Sequence, residues 1–390
     1  MTDAATPAVE VRPLSQTKDI RGWLRVPHAI YGDDPHWVAP LDFFERRRID
    51  PRNPFFRFAD AEFFVAYRDG RPVGRISAQV NRRHLEQHRD NTGHFGFFDV
   101  PDDGTVADAL LDAARDWLAA RGMTRMAGPF SLSVNEECGL LVEGFGKRAA
   151  VMVPQSAPWQ SGLLERRGFS GIADLLEFHH DPEASLSSFQ WATDRIAKQA
   201  RVTVRRFDRA RLDSELDLML DIFNAGWRTN WGFVPLSRAE VDYGVGSLRP
   251  LFRDEFGAFV MVDGKEAGFS LVLPDINAVI KTFRGRLFPF NVLRLLAAFL
   301  FRRIRSSRLV LFGLRPEFQS GSPGGLSVIA LWLAILRDFP KVCPQWNAPG
   351  GEKGIIYYVW VLKQNRPLVR LLTGFFGGPV KTYRVYAREM

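Results

Sequence analysis

The chain has 390 residues, room for two or three domains, and its 46% hydrophobic and 25% charged residues are those of ordinary globular protein, so a folded enzyme is the default expectation. A formal net charge of +8, carried mostly by arginine, suits anionic partners such as phosphates or acidic lipid headgroups, while the lack of any nucleic-acid-binding motif or lysine-rich tail argues against nucleic acid. Two cysteines, Cys138 and Cys343, without a CxxC partner exclude a disulfide framework, fit a reducing cytoplasm and argue against metal and redox chemistry.

The N-terminal MTDAATPAVEVRPL has neither a basic stretch nor an apolar run, so no export signal is read there. VEVRPL begins like a strand and DIRGWLRVPHAIYG like a helix; the Pro-rich segments Asp33–Leu41 and Asp50–Ala61 read as loops. Ala61–Asn81 is a hairpin about Asp69 and Gly70, His94–Val100 a strand, and Val106–Gly122 an amphipathic helix stopped by glycine. MTRMAGPF is a strand, PWQSGLLERRGF a helix and IADLLEFHH a strand. The order then recurs: strand Val202–Asp208, helices Ser214–Arg228 and Leu236–Phe252, and a hairpin Gly257–Asp275 about Asp263 and Gly264. A basic, apolar helix within Phe290–Arg308 follows. It holds about a dozen apolar residues interrupted by Arg294, short of the ~20 needed to span a bilayer but able to lie on one, with Val292, Leu295, Leu296, Phe299 and Ile304 apolar and Arg302, Arg303 and Arg305 at its end. The repetition predicts a tandem duplication joined near Asp181–Arg201.

Three clusters carry chemistry. The first is Gly313–Leu326, GLRPEFQSGSPGGL, between the strand Arg308–Leu314 and a buried helix predicted over Leu326–Leu336. A Gly/Ser-rich loop at a helix N-terminus turns backbone N–H groups toward an anion, and a pyrophosphate fits. Neither a P-loop nor a GxGxxG pattern is present. The second is SVNEECG, where Asn135, Glu136 and Glu137 follow a strand; a glutamate partly withdrawn from water there has its pKa raised toward neutrality, while the same residues in solvent are plain loop. The third is Asp275, Asn277 and Lys281 after the second hairpin, where a turn role explains the residues equally well. The aromatic stretch Asn224–Pro235, with Trp227, Asn230 and Trp231, either lines a substrate channel or belongs to core. His84 and His88 stand four apart without HExxH or a third ligand, so no metal is expected.

The segments DDPHWVAPL, NPFF, GRPVGRISAQVNRRH, GHFGFFDV and GPFSLSVNEECGLLVEGF, with FNAGWRTNWGFVPLSRAE, LPDINAVIKTFRGRLFP, RPEFQSG and KTYRVYA, span most of the chain and resemble two-domain GNAT acyltransferases, in particular bacterial ceramide synthases, which are sphingoid-base N-acyltransferases. The resemblance implies an α/β (α+β) fold of two tandem GNAT-like domains, each a mixed, mostly antiparallel sheet flanked by helices. It places a domain degenerate for coenzyme A at 1–185 and an acyl-CoA-binding domain at 186–390. It assigns the pyrophosphate to Leu314, Arg315, Gln319, Ser320, Gly321, Ser322, Gly324, Gly325 and Leu326, although the glycine spacing departs from the [QR]xxGx[GA] loop of that superfamily. In the first half, Asp102 and Asp103 stand at the matching place and would repel a pyrophosphate. The implied reaction moves a long acyl chain from acyl-CoA to the amine of a sphingoid base, with Glu137, Glu136, Asn135 or Asp275 as the catalytic group and Trp227, Asn230, Trp231, Asn277 and Lys281 lining the acceptor site. A tyrosine general acid has no evident counterpart, leaving Tyr383 and Tyr386 as substitutes. An N-acetyl- or N-acyltransferase for a soluble amine, and an inactive tandem GNAT that binds acyl-CoA or lipid, remain the alternatives. The expected location is cytoplasmic, peripheral on the inner face of the membrane.

Overall fold

The computed structural model describes residues 8–185, 201–301, 303–348 and 353–390. The first half runs β1 (Glu10–Pro13), α1 (Leu14–Thr17), α2 (Ile20–Tyr31), α3 (Asp42–Arg48), β2 (Ala59–Arg68), β3 (Arg71–Asn81), α4 (Arg82–His88), β4 (Thr92–Asp99) and α5 (Gly104–Ala119). It continues through β5 (Arg125–Gly128), β6 (Phe130–Ser131), β7 (Glu137–Cys138), β8 (Leu140–Glu143), α6 (Gln160–Arg166), β9 (Ser170–His180) and α7 (Pro182–Ser185). The second half comprises β10 (Val202–Arg206), α8 (Leu212–Trp227), α9 (Arg238–Val245), β11 (Gly257–Val262), β12 (Lys265–Pro274), α10 (Asn277–Ile280), α11 (Asn291–Leu300), β13 (Ser307–Leu314), α12 (Gly321–Val342), β14 (Ile356–Leu362), α13 (Arg366–Phe376) and β15 (Lys381–Glu389). Most of the segment expected to join the halves, 186–200, lies outside the described residues, as does Arg302.

Local chemistry sets these elements. Both expected hairpins close on an Asp-Gly pair in left-handed conformation, Asp69–Gly70 (φ 49° and 71°) and Asp263–Gly264 (φ 50° and 77°), the geometry that matches strand twist. Helix α5 buries Val106, Leu110, Leu111, Ala114 and Leu118, one apolar face at helical spacing, against β2 and β3. Helix α12 begins at Gly321, five residues before the expected start, and extends to Val342, because the glycines continue the helix instead of ending the loop. It buries Trp332, Ile335 and Phe339 in the second-half core.

Thirteen of the strands form one mainly antiparallel sheet ordered β1-β2-β3-β4-β5-β15-β9-β14-β13-β12-β11-β10, with β8 also paired to β15, and β6 and β7 pair with each other apart from it. The C-terminal strand β15 thus sits inside the first-half sheet, between β5 (Tyr386 opposite Gly128) and β9 (Val385 opposite Ala173). Strand β9 in turn pairs on its other edge with β14 of the second half. The seam between the halves is therefore continuous backbone hydrogen bonding.

Leu175, buried on β9, tests this continuity. Leu175→Ala should cost ~2–5 kcal/mol and lower a single thermal transition for the whole chain. Two separate transitions in calorimetry, with only one of them shifted, would show that the halves unfold independently.

Candidate functional site

Each half contains one parallel strand pair that separates partway along. In the second half β13 and β14 pair only at Ser307–Ile356, Arg308–Tyr357 and Leu309–Tyr358. Beyond that point β13 carries an extra residue against β12 at Val310, and β14 carries two residues, Val359 and Trp360, opposite Glu177 of β9. Bulges of this kind bend a strand and end its pairing. Leu309–Phe312 and Val359–Trp360 are left half-exposed along a V-shaped slot. Beyond the slot, Arg315–Ser320 lead into α12, whose N-cap Ser320 makes no side-chain capping bond, so the first-turn N–H groups are not closed off by a cap.

The first half has the same split and fills it. Strands β4 and β5 pair at Thr92–Arg125, Gly93–Met126 and His94–Ala127, then part at a bulge where Phe97 has φ 46°. Residues Phe130–Ser131 fold back into the gap: Gln79 Nε2 donates to the Phe130 carbonyl at 2.6 Å, and a Cβ on Gly96 would overlap that carbonyl. The helix N-terminus beyond is also taken, because Asp103 accepts from the N–H groups of Thr105 and Val106 and pairs with Arg68 at 2.7 Å. A second anion has no place there.

The glutamates of SVNEECG gather on one guanidinium. Arg48 of α3 reaches Glu136 (3.2 Å), Glu137 (3.0 Å) and Glu45 (3.0 Å), donates to the Ser131 carbonyl, and lies over the Phe97 ring at 4.6 Å. Arg75 adds contacts to Glu45 and Asp99. Burial pushes the Glu136 carboxyl up to about 7; Arg48 opposes the rise and Glu137 adds to it. Arg48 and Glu45 leave no trace in sequence reasoning, since DFFERRR looks like any charged helix and its partners lie 88 and 89 positions away.

A chain of contacts links these glutamates to the slot. Gln319 Nε2 donates to Gly226 and Leu314 carbonyls, and Trp227 Nε1 donates to the Phe312 carbonyl on the slot wall at 2.7 Å. After α8, Trp231 stacks on Phe130 and Asn135 Nδ2 donates to the Val234 carbonyl. From the slot side, Arg308 donates to the Val151 and Met152 carbonyls and lies over Trp360 at 4.5 Å. Burial pulls its pKa down to about 10, and Glu177, Tyr383, Glu137 and Asp275 oppose the fall. A cavity of about 350 Å³ lies beside this chain, bounded by α4, β4, β5, Ser133–Val134 and Arg228–Gly232.

The other expected residues are placed as follows. Asp275 is buried, accepts from Val151 and Asn277 N–H groups and pairs with Arg148 at 3.2 Å; Asn277 Nδ2 donates to the Ala149 carbonyl. Both clamp the second hairpin to the first half. Lys281 donates to the Pro35 carbonyl, away from the slot. Of the loop residues, Arg315 is held by Asp221 (2.6 Å) and the Glu266 carbonyl, Leu314 and Leu326 are buried, and Gly324 sits where a Cβ would press on the Phe318 and Gln319 carbonyls. Gly321 has φ 71°, Gly325 faces open space, and the Ser322 side chain lies outside the description. Tyr383 and Tyr386 donate to Glu177 and Glu165. His84 meets His88 in a tilted ring contact, His94 edge-on and Asp90 through Nε2 at 3.1 Å; among the described residues no group of three or more His, Cys, Asp or Glu is arranged to hold a metal.

Compared with known proteins, the architecture is that of tandem GNAT proteins. It matches the tandem GNAT protein from the clavulanic acid biosynthesis pathway with a TM-score of 0.53 and 14% identity over 98% of each chain. It matches a GCN5-related N-acetyltransferase from Sphaerobacter thermophilus with a TM-score of 0.51 and 12% identity over 98% of this chain and 95% of the other. No family model matches. In sequence the chain is 33% identical to protein YghO of Escherichia coli (strain K12) over 97% of its length and 95% of that protein. It is 31% identical to the bacterial ceramide synthase of Caulobacter vibrioides (strain NA1000 / CB15N) over 100% of its length and 99% of that protein. The chain belongs to the family of this bacterial ceramide synthase, an acyltransferase family with the GNAT fold.

Arg48→Met should move the Glu136 titration above its midpoint of about 7, because the opposing cation is gone while burial and Glu137 remain. Carbon-detected NMR of labelled glutamate carboxyls reads this directly; a midpoint that stays put or falls would remove Arg48 as the controlling charge.

Proposed function

We propose that the protein transfers a long acyl chain from acyl-CoA to the amine of a sphingoid base, with 186–390 binding the thioester and 1–185 supplying the base and part of the acceptor site. The observation that carries this reading is the asymmetry of the two splits. The second-half slot is open beside an uncapped helix N-terminus, whereas the first-half slot is filled by Phe130–Ser131 and its helix is capped by Asp103. The full-length likeness to a protein named bacterial ceramide synthase supports the choice of acceptor.

In this reading the pyrophosphate meets backbone N–H groups at Gly321, Ser322 and Gly324, Pro323 having none to offer, and the thioester lies in the slot near Val310. Glu136, poised near neutrality, takes a proton from the ammonium so that the amine lone pair is free. The nitrogen attacks the thioester carbonyl, and collapse of the tetrahedral intermediate breaks the C–S bond. The thiolate is protonated as coenzyme A leaves, and the amide nitrogen gives up its second proton.

Two variants separate chemistry from binding. Glu136→Gln should lower the acylation rate ~10²-fold or more with acyl-CoA affinity retained, and in the parent protein the rate should rise with pH through about 7 as the carboxylate forms. Gly325→Asp adds an anion at the helix N-terminus where a Cβ meets nothing, so it should weaken acyl-CoA binding by ~tenfold with the fold intact. Mass spectrometry of reactions with acyl-CoA and a sphingoid base provides the readout; full activity of Glu136→Gln would transfer the base role elsewhere.

The lipid nature of the acceptor has a second support. Among the described residues no helix is long and apolar enough to cross a membrane. Yet Phe288, Phe290, Leu293, Leu296, Leu300 and Phe301 form an exposed apolar patch, joined by Phe43 of the first half at 5.7 Å from Phe288. The outward face of α11 differs from the expected one: Val292, Leu295 and Phe299 turn inward, Ile304 is buried beyond the helix end, and Leu293, Leu296 and Leu300 point out. Arg284, Arg286, Arg294 and Arg303 flank the patch in sequence, and patches of this size and rim suit an anionic bilayer. The protein should float with anionic vesicles, less so in high salt and not after Leu293→Glu with Leu300→Glu. Flotation that survives the double substitution would place the contact elsewhere.

A further inference from the structure

The cavity of about 350 Å³ is walled by buried polar side chains that the reaction above does not use. Asn81 and Thr92 are 2% exposed, His94 7% and His84 8%. The Thr92 hydroxyl lies near Asp90 but outside hydrogen-bonding geometry and has no partner. His94 spends its ring on edge contacts with His84 and Phe130. Buried polar groups without partners inside a recess offer hydrogen bonds to whatever enters it, so the solvent-open mouth at Gln87, Arg228 and Thr229 leads to a polar wall suited to a hydrogen-bonding ligand. The rings of His84 and His88 meet in a tilted contact at 4.5 Å and those of His84 and His94 edge-on at 4.4 Å, and among the described residues no group of three or more His, Cys, Asp or Glu is arranged to hold a metal.

The position of the cavity is equally specific. One wall is Arg228–Gly232, continuous with Trp227, whose indole donates to the slot carbonyl of Phe312. The opposite wall is Ser133–Val134, two residues before Glu136. The recess thus adjoins both the segment that leads from the slot and the segment that leads to Glu136, a place for the head of an amine acceptor in the reading above.

We propose that this pocket, built from first-half residues Thr92, His84 and His94 and closed by Asn230 and Trp231 of the second half, binds the hydroxyl groups of an amino-alcohol head and selects hydroxylated long-chain amines over plain alkylamines. The inference rests on the amine-acylation reading and adds the feature of the acceptor that is read. Hydroxyls can accept from and donate to imidazole and threonine in either tautomer, which a hydrocarbon or a bare ammonium cannot do. A site made for substrate hydroxyls rejects the analogue lacking them, because its own buried groups are then left unpaired.

The test compares kcat/KM for a long-chain 2-amino-1,3-diol and for an alkylamine of equal length, with one acyl-CoA, in the parent protein and in Thr92→Val and His94→Phe. The parent should prefer the diol by about tenfold or more, and each variant should reduce diol turnover at least about fivefold more than alkylamine turnover, collapsing the preference. His94→Asn, which keeps a hydrogen-bonding group, should retain more of the preference than His94→Phe. Equal loss on both amines, or an unchanged ratio in folded variants, overturns the pocket as a hydroxyl reader while the acylation reading stands. If the parent protein acylates neither amine yet binds acyl-CoA, the acceptor reading itself fails and the inference falls with it.

Discussion

Everything in this molecule hangs on where β15 is paired. Placed between β5 and β9, the last strand of the chain completes the sheet of the first half, and β9 then offers its far edge to β14. Backbone hydrogen bonds across an antiparallel seam are directional and alternate in narrow and wide pairs, so they fix register as well as proximity. That register sets Tyr357 opposite His179 and Val385 opposite Ala173. The loop after β5 is thereby held against the segment after α8, with Trp231 on Phe130 and Asn135 on the Val234 carbonyl.

The same fixed frame explains why two similar splits behave differently. A bulge opens each, but in the first half the chain after β5 returns at once into its own gap, with Gln79 and Gly96 shaped to receive the Phe130 carbonyl. The turn that plugs the gap also carries Ser133–Glu137 outward to Arg48. Glu45, Asp99, Glu136 and Glu137 are held there by Arg48 and Arg75, a surplus of acid in a recessed place. Charge of one sign cannot all be held apart from water, and the cheapest relief is to keep one carboxyl near neutrality protonated part of the time. Glu136 is that group.

Local signals in the sequence were enough for the strands, hairpins and repeat order, because alternation, Asp-Gly turns and helix stops act over a few residues. They also marked SVNEECG and the loop before α12. They could not show that α12 starts at Gly321, since the bend of the loop comes from the turn at Pro316–Phe318 and the packing of Gly324 against its carbonyls. Nor could they join Arg48 to Glu137, 89 positions away, or Asp275 to Arg148 across the seam; pairing at such separations leaves no periodic trace. The amphipathic reading of α11 found the right helix but, Leu296 apart, not the residues that face outward, because the helix buries almost nothing except Ala298 by regular spacing, and its neighbours in α10 decide which side is covered.

The short helix α3 ties the proposed lipid surface to the proposed chemistry. Phe43, near its start, stands in the exposed patch beside Phe288, and Arg48, at its end, holds both glutamates. Five residues at 100° each put the two side chains about 140° apart around the helix, so one faces out while the other faces in. Arg47 is meanwhile fixed on the Tyr243 ring at 4.5 Å, and Tyr243 donates back to the Arg47 carbonyl. A seven-residue helix anchored in this way cannot shift one end without the other. An acceptor drawn from a bilayer at the patch would therefore meet the glutamate cluster one helix length away.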